Sequence, residues 1–263
     1  MSGDMCTSLG NGFTNLMLWL FLANTLGLVA DGVVEGDDGL FVCRCAFGSN
    51  RGRSVVLAPE TFEQLGFRAK LKFAGNVGEA GFCKLFFDDA GNTVADPAPI
   101  LCGVGWTHSP LLRSGPIIME QLLRAKGYSL LALFPNCPIL TSFGRMIIRC
   151  VGDGKLRWDG EGGHADWWTF TSVLMNTNVN SINAKDMLKK ACTIALSSRI
   201  LMQKLFNVSV ESQLELEAYF DHMTKIQELS HPALGAMMKD DWRVYYNSFV
   251  YSFSPEDSDT FPG

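Results

Sequence analysis

Residues 12–30, GFTNLMLWLFLANTLGLVA, form an almost continuous apolar run, yet Asn11, Thr14, Asn15, Asn24 and Thr25 recur along it. From Asp4 onward this region predicts a helix, and its recurring polar groups suit one buried in protein better than one facing lipid. The period then shortens. LVADGVV (28–34) and GLFVCRC (39–45) read as strands, and the acidic turn Glu35-Gly36-Asp37-Asp38 joins them into a hairpin. PETFEQLGFRAKLK (59–72) predicts a helix opened by Pro59 and ended near Gly66-Phe67. GFCKLFF (81–87), followed by a turn over 88–92, predicts a second hairpin in which Asp88 and Asp89 serve only as turn formers.

Around residues 95–106 the chain is turn-rich, which places a soft boundary near residue 95. Helical patterns follow at 116–126, 139–150, 184–206 and 211–229, separated by clusters of Pro, Gly and Asn. The closing SPEDSDTFPG, in which residues 255–263 follow Ser254, is polar and expected to be disordered. The fold class expected is α+β: a helix with antiparallel hairpins over 1–95, then a mostly α-helical part over 96–254.

Composition narrows the classes. With 263 residues, 47% hydrophobic and 19% charged, the chain can bury a core, and intrinsic disorder is excluded as its main state. The net charge of -5 argues against a uniformly basic nucleic-acid binder, but the layout is uneven. Residues 1–43 carry five acids and no base, residues 113–204 carry twelve bases and six acids, and residues 205–263 carry three bases and ten acids. An acidic opening fits a cation site, and a basic middle fits a surface for polyanions; solvated helix faces are the plain alternative. The apolar run lacks the positive flank of a signal peptide, since Asp4 precedes it and the first base is Arg44. Eight cysteines at irregular spacing, mostly in apolar runs, read as buried free thiols rather than a disulfide framework. No CxxC occurs and the four histidines are scattered, so a structural zinc site is not expected; His164 reads as a loop residue.

Two adjacent carboxylates at a tight turn, Asp37 and Asp38, repel each other unless a cation or a hydrogen-bond donor lies between them. Magnesium prefers such oxygens. Asp and Gly also simply make good turns. The surroundings favour the first reading. The run Ser2-Gly3-Asp4-Met5-Cys6-Thr7-Ser8-Leu9-Gly10-Asn11 fits SGxxxTxxxN, and Gly36-Asp37-Asp38 follows after the apolar helix. In this order the two resemble motifs B and C of viral RNA-dependent RNA polymerases, of the tombusvirus-like or nodavirus-like positive-strand RNA viruses. Residues 59–72 resemble motif D and residues 81–87 the motif E hairpin.

That resemblance implies a partial palm (1–95) followed by a helical thumb (96–254), and RNA-templated nucleotidyl transfer by two Mg2+ ions, with Mn2+ as an alternative. It implies Asp37 as principal metal ligand with Asp38 supporting. It places Thr7 and Asn11 at the ribose 2′-hydroxyl, and Ser2 and Gly3 in a mobile loop beside the templating base. Lys70, with Lys72 as second candidate, would protonate the leaving pyrophosphate, and Phe82, Cys83 and Lys84 would grip the primer end. The plain alternatives are polar groups satisfying each other for Thr7 and Asn11, and solvated side chains on one side of a strand for Lys70 and Lys72. Implied partners are the RNA template and product duplex, NTPs and other replicase proteins, in host cytoplasm at membrane-associated replication complexes. Among the thumb bases, Arg113, Arg124, Lys126, Arg145, Arg149, Lys155, Arg157, Lys185, Lys189, Lys190, Arg199 and Lys204 are candidates to contact duplex phosphates. Trp158, Trp167 and Trp168 are expected to pack rather than stack on bases.

The pattern departs from the family at one point. The DxxxxD of motif A and the basic fingers motifs, which precede motif B in that family, have no counterpart here, and Asp153 and Asp159 have the wrong spacing. The expectation is a fragment from motif B through the thumb, inactive by itself, whose partner is the fingers and motif A segment of the same polyprotein. A second reading is a non-catalytic RNA-binding or polymerase-like module. A third is a membrane-anchored protein led by residues 12–30.

Overall fold

The structure, a computed structural model, describes residues 7–45, 62–105, 115–152 and 193–250. Ser2, Gly3, Pro59, His164, Trp158, Trp167, Trp168, residues 184–192 of the helix expected over 184–206, the bases Arg113, Lys155, Arg157, Lys185, Lys189 and Lys190, and the tail from 255 lie outside the described residues. The chain is mixed α+β, with two small antiparallel sheets among the described residues. It divides into two compact units, Met1–Phe86 and Phe87–Gly263, a division earlier than the boundary drawn near residue 95.

In the first unit, helix α1 (Thr7–Thr25) runs through the apolar segment. It stops where Gly27 takes φ 68, a left-handed conformation that costs glycine little. The chain reverses into β1 (Leu28–Glu35), which pairs antiparallel with β2 (Asp38–Cys45) in a register running from Leu28↔Cys45 to Glu35↔Asp38. Only Gly36 and Asp37 form the loop. Gly36 has φ 56, as a type II′ turn asks of its first central residue. The hairpin forms as the two strand-like runs and their acidic turn predict.

A two-stranded hairpin is not stable alone, and α1 provides its cover. Phe41 lies across Gly32, its cross-strand partner, where any Cβ would collide with the Phe41 ring and the Leu40 carbonyl. On its other side Phe41 stacks on Trp19 of α1, ring centroids 4.5 Å apart. Trp19 in turn meets Phe62 edge-on at 5.6 Å, and Phe62 and Leu22 form a small core with Leu18, Leu26, Ala69 and Leu71. Phe62 and Glu63 close a helical turn through Phe67 N–H to Phe62 O and Gly66 N–H to Glu63 O, with Gly66 at φ 84. That double bond is a Schellman stop. It ends the helix where the Gly-Phe pair predicts.

The second unit begins at the end of β3 (Leu85–Phe87), the partner of β4 (Thr93–Ala95). DPAP, read from sequence as a turn, instead opens helix α2 (Pro97–Gly103), because Asp96 accepts from the Ala98 N–H at 3.1 Å and Pro97 fits the first helical position. Helices α3 (Pro116–Leu133) and α4 (Leu140–Val151) form an antiparallel pair. A Cβ on Gly127 would lie 2.9 Å from Ile147 and Ile148, and one on Gly144 would lie 3.1 Å from Leu131, so both glycines permit close approach. Then follow α5 (Leu196–Phe206), α6 (Val210–His222), α7 (Pro232–Met237) and α8 (Asp240–Val250). The pattern over 211–229 overran the observed end of α6 at His222. Ile139, Leu140, Met146, Ile147, Ile148, Met202, Leu216, Phe220, Leu234 and Met238 fill the core of this unit.

Arg124, Arg149 and Arg199, candidates to contact duplex phosphates, are engaged inside the protein. Arg124, 5% exposed, donates to the carbonyls of Val151 (2.7 Å) and Gly152 (2.8 Å) at the end of α4. Arg149 donates to Phe220 O at 2.7 Å and Met223 O at 3.2 Å at the end of α6. Helix C-termini leave carbonyls without partners, and a guanidinium fork satisfies two at once. Arg199 forms a two-pronged pair with Glu217, at 2.9 and 2.7 Å.

The cysteines depart from expectation in burial only. Cys43, Cys83, Cys102, Cys137 and Cys150 are free thiols, but of these only Cys137 is buried and Cys43 is exposed. A hairpin covered on one face cannot bury every apolar-flanked position. Among the described residues, no helix is long and apolar enough to cross a membrane.

Candidate functional site

The hairpin tip bearing Asp37 and Asp38 is held from the side by α1. Positions 8, 12, 15 and 19 recur on one helical face, and each meets the hairpin. Ser8 Oγ donates to Glu35 Oε1 at 2.6 Å. Gly12 faces the turn, where a Cβ would make an ordinary contact 3.6 Å from the Gly36 nitrogen. Asn15 Nδ2 donates to the carbonyl oxygens of both Asp37 (3.2 Å) and Asp38 (3.0 Å). Trp19 stacks on Phe41 behind the tip. The helix therefore fixes the turn's backbone and leaves the two carboxylates exposed.

Thr7 and Asn11 lie one turn apart on the flank of that same face, Thr7 half-buried and Asn11 exposed. The second predicted element reaches the tip too. Cys83 and Lys84 have φ 49 and 64, two successive left-handed residues that close the turn between Phe82 and Leu85, which exchange backbone hydrogen bonds at 2.9 and 2.8 Å. Burial pushes the Cys83 thiol pKa up, and negative charge on Asp38, Glu35 and Asp37, with a thiol hydrogen bond to Asp38, pushes it the same way. Cys83 thus sits against the acidic tip. Phe82 is half-buried and Lys84 exposed.

Lys70 is exposed in a stretch without regular structure. Ala69 and Leu71 pack on the Leu22–Phe62 core, so Lys70 and Lys72 alternate outward as in a strand, though no strand partner is present among the described residues. Lys72 lies 5.8 Å from the centre of the Phe86 ring, within cation–π range.

Asp37 and Asp38 offer the oxygen chemistry a hard divalent cation prefers. They form an incomplete set. Among the described residues, no group of three His, Cys, Asp or Glu side chains is placed to hold a metal ion, so other oxygens must complete the coordination.

Sequence reasoning passed over Ser8 and Asn15. The signal available was their seven-residue spacing on the face that also carries Gly12. Asp88, read only as a turn former, is 4% exposed and central to the second unit. It accepts from the N–H groups of Ala90 and Asn92, the Asn92 amide, and the Ser197 and Ser198 hydroxyls at 2.7 and 2.8 Å. Burial alone would raise its pKa; these hydrogen bonds outweigh burial and hold the carboxyl far below the usual carboxylate range. Compared with family models, curated proteins and solved structures, the chain matches none.

Proposed function

We propose that the chain is the motif B to thumb portion of a viral RNA-directed RNA polymerase, joining nucleotides to an RNA 3′-hydroxyl. One observation carries the reading. The helix that follows SGxxxTxxxN lies directly against the Gly-Asp-Asp hairpin, and the Cys83 turn meets Asp38 from another side. The helix and the Cys83 turn, far apart in sequence, thus meet at one acidic hairpin turn, which supports a shared active site there.

Bound magnesium would supply charge neutralisation at the reacting phosphate and a lowered pKa for the attacking hydroxyl. Asp37 and Asp38 would hold it, with the carboxylates missing from this set coming from elsewhere. Thr7 and Asn11 would meet the ribose, Lys70 would deliver a proton to the leaving group, and Phe82, Cys83 and Lys84 would steady the primer end. Lys204, exposed on the surface of the helical part, would contact phosphates. By itself the 263-residue chain would not incorporate nucleotides.

Two measurements test this. In the reading frame upstream of the Met1 codon, a DxxxxD segment preceded by basic motifs is expected; a stop codon directly upstream would favour the non-catalytic reading. In the replicase carrying this chain, Asp37→Ala should abolish templated incorporation and leave RNA affinity nearly unchanged. Equal loss of both would remove the catalytic role.

A further inference from the structure

The structure assigns a role to Asn15: we infer that it is a positioning residue, which fixes the conformation of the Asp37–Asp38 turn and so the cation affinity of its two carboxylates. This rests on the proposed metal-binding role of that pair. Asn15 touches neither carboxylate. Its amide reaches the carbonyl oxygens of both residues, 3.2 and 3.0 Å away, and one side chain thereby bridges the two peptide units whose rotation would swing the acids apart. The approach is close: a Cβ on Gly39 would lie 3.2 Å from Asn15 Nδ2, so a larger residue after Asp38 would displace the amide.

Neighbouring contacts keep Asn15 in register. Ser8 bonds Glu35 one residue before the loop, Gly12 lies against Gly36, and Trp19 anchors the far side on Phe41. Loop residues at a two-residue turn are otherwise free to exchange conformers. Two carboxylates that must meet one cation lose affinity when their relative orientation fluctuates. The geometry therefore couples α1 to the acidic tip through the backbone, without any contact to the cation.

The test is Mn2+-induced line broadening in the amide spectrum of the isotope-labelled 263-residue chain, which detects weak binding. Broadening centred on residues 36–39 is expected in the parent and absent in Asp37→Ala. Asn15→Leu, similar in shape but without donors, should reduce the broadening by about threefold to tenfold, the effect on an equilibrium of losing one or two ordinary hydrogen bonds. Asn15→Ala, which removes the donor without adding charge, should do the same and serves if Asn15→Leu fails to fold. Asn15→Gln, which retains the amide, should recover part of the effect. Parent-like broadening in Asn15→Leu or, where that variant does not fold, in Asn15→Ala overturns the positioning role while the metal role of the pair stands. Broadening that survives Asp37→Ala, or is absent from the parent, overturns the metal role and the inference with it.

Discussion

Replacing Glu217 by Gln should destabilise the second unit severely although the side chain keeps its size. Glu217 Oε1 accepts from Arg199 at 2.9 Å and from the backbone N–H of Ile139 at 2.9 Å, while Oε2 accepts from Arg199 at 2.7 Å. The two side chains are only 13% and 11% exposed. Glutamine removes the negative charge and turns one oxygen into a donor facing Arg199, leaving a guanidinium with no compensating charge in a dry setting. Breaking a buried pair this way costs about 3–5 kcal/mol. Ile139, at φ 65, opens α4 and depends on the same carboxylate for its N–H, so α4 is the element to watch. Hydrogen exchange of the α4 amides reports this unit alone, and about 3 kcal/mol corresponds to faster exchange by roughly two orders of magnitude where opening is subglobal. The double variant Arg199→Met with Glu217→Leu removes both charges and should lose less than Glu217→Gln, a non-additivity that a double-mutant cycle reads directly. Acceleration of less than about fivefold in Glu217→Gln would refute the reasoning, since it would give the pair the strength of a solvent-screened surface contact.

Other outcomes follow from the same geometry. Gly32→Ala must push Phe41 off Trp19; a loss of about 1–3 kcal/mol is expected from overpacking, read as loss of Trp19 protection from fluorescence quenchers, and a parent-like signal would count against the stacked arrangement. Asp88 has a depressed folded-state pKa, so its contribution is present above the ordinary carboxylate value of 3.8 and is lost as pH falls below it; Asp88→Asn should flatten the acid limb of a stability-versus-pH curve, and an unchanged limb would contradict this. The Cys137 thiol, fully buried and with its pKa pushed up to about 12 mainly by burial, should resist alkylation until the unit unfolds, whereas exposed Cys43, its pKa also raised by partial burial, should react in the folded protein. Labelling of Cys137 in the native protein at the rate of Cys43 would show that the core opens.

The sequence by itself determined the local elements. Two strand-like runs over 28–34 and 39–45, with a glycine able to take positive φ between them, left little choice but the hairpin. Gly66 marked a helix stop because only glycine enters the left-handed region there without strain. The pairing of Asp37 and Asp38 was visible for the same reason, since their spacing is covalent. Tertiary structure decided which polar groups meet across the chain. Asn15 looked like one of several polar interruptions in an apolar run, and became the residue that grips the turn only when α1 docked at Gly12. Arg124, Arg149 and Arg199 carry nothing in sequence to separate them from solvated bases; helix ends and a carboxylate distant in sequence claimed them. Asp88 read as a turn residue because its turn is local, whereas its serine partners lie more than a hundred residues later. Local periodicity reports the backbone's own preferences, but a hydrogen bond between distant residues depends on the packing that brings them together, and that packing is a property of the whole folded unit.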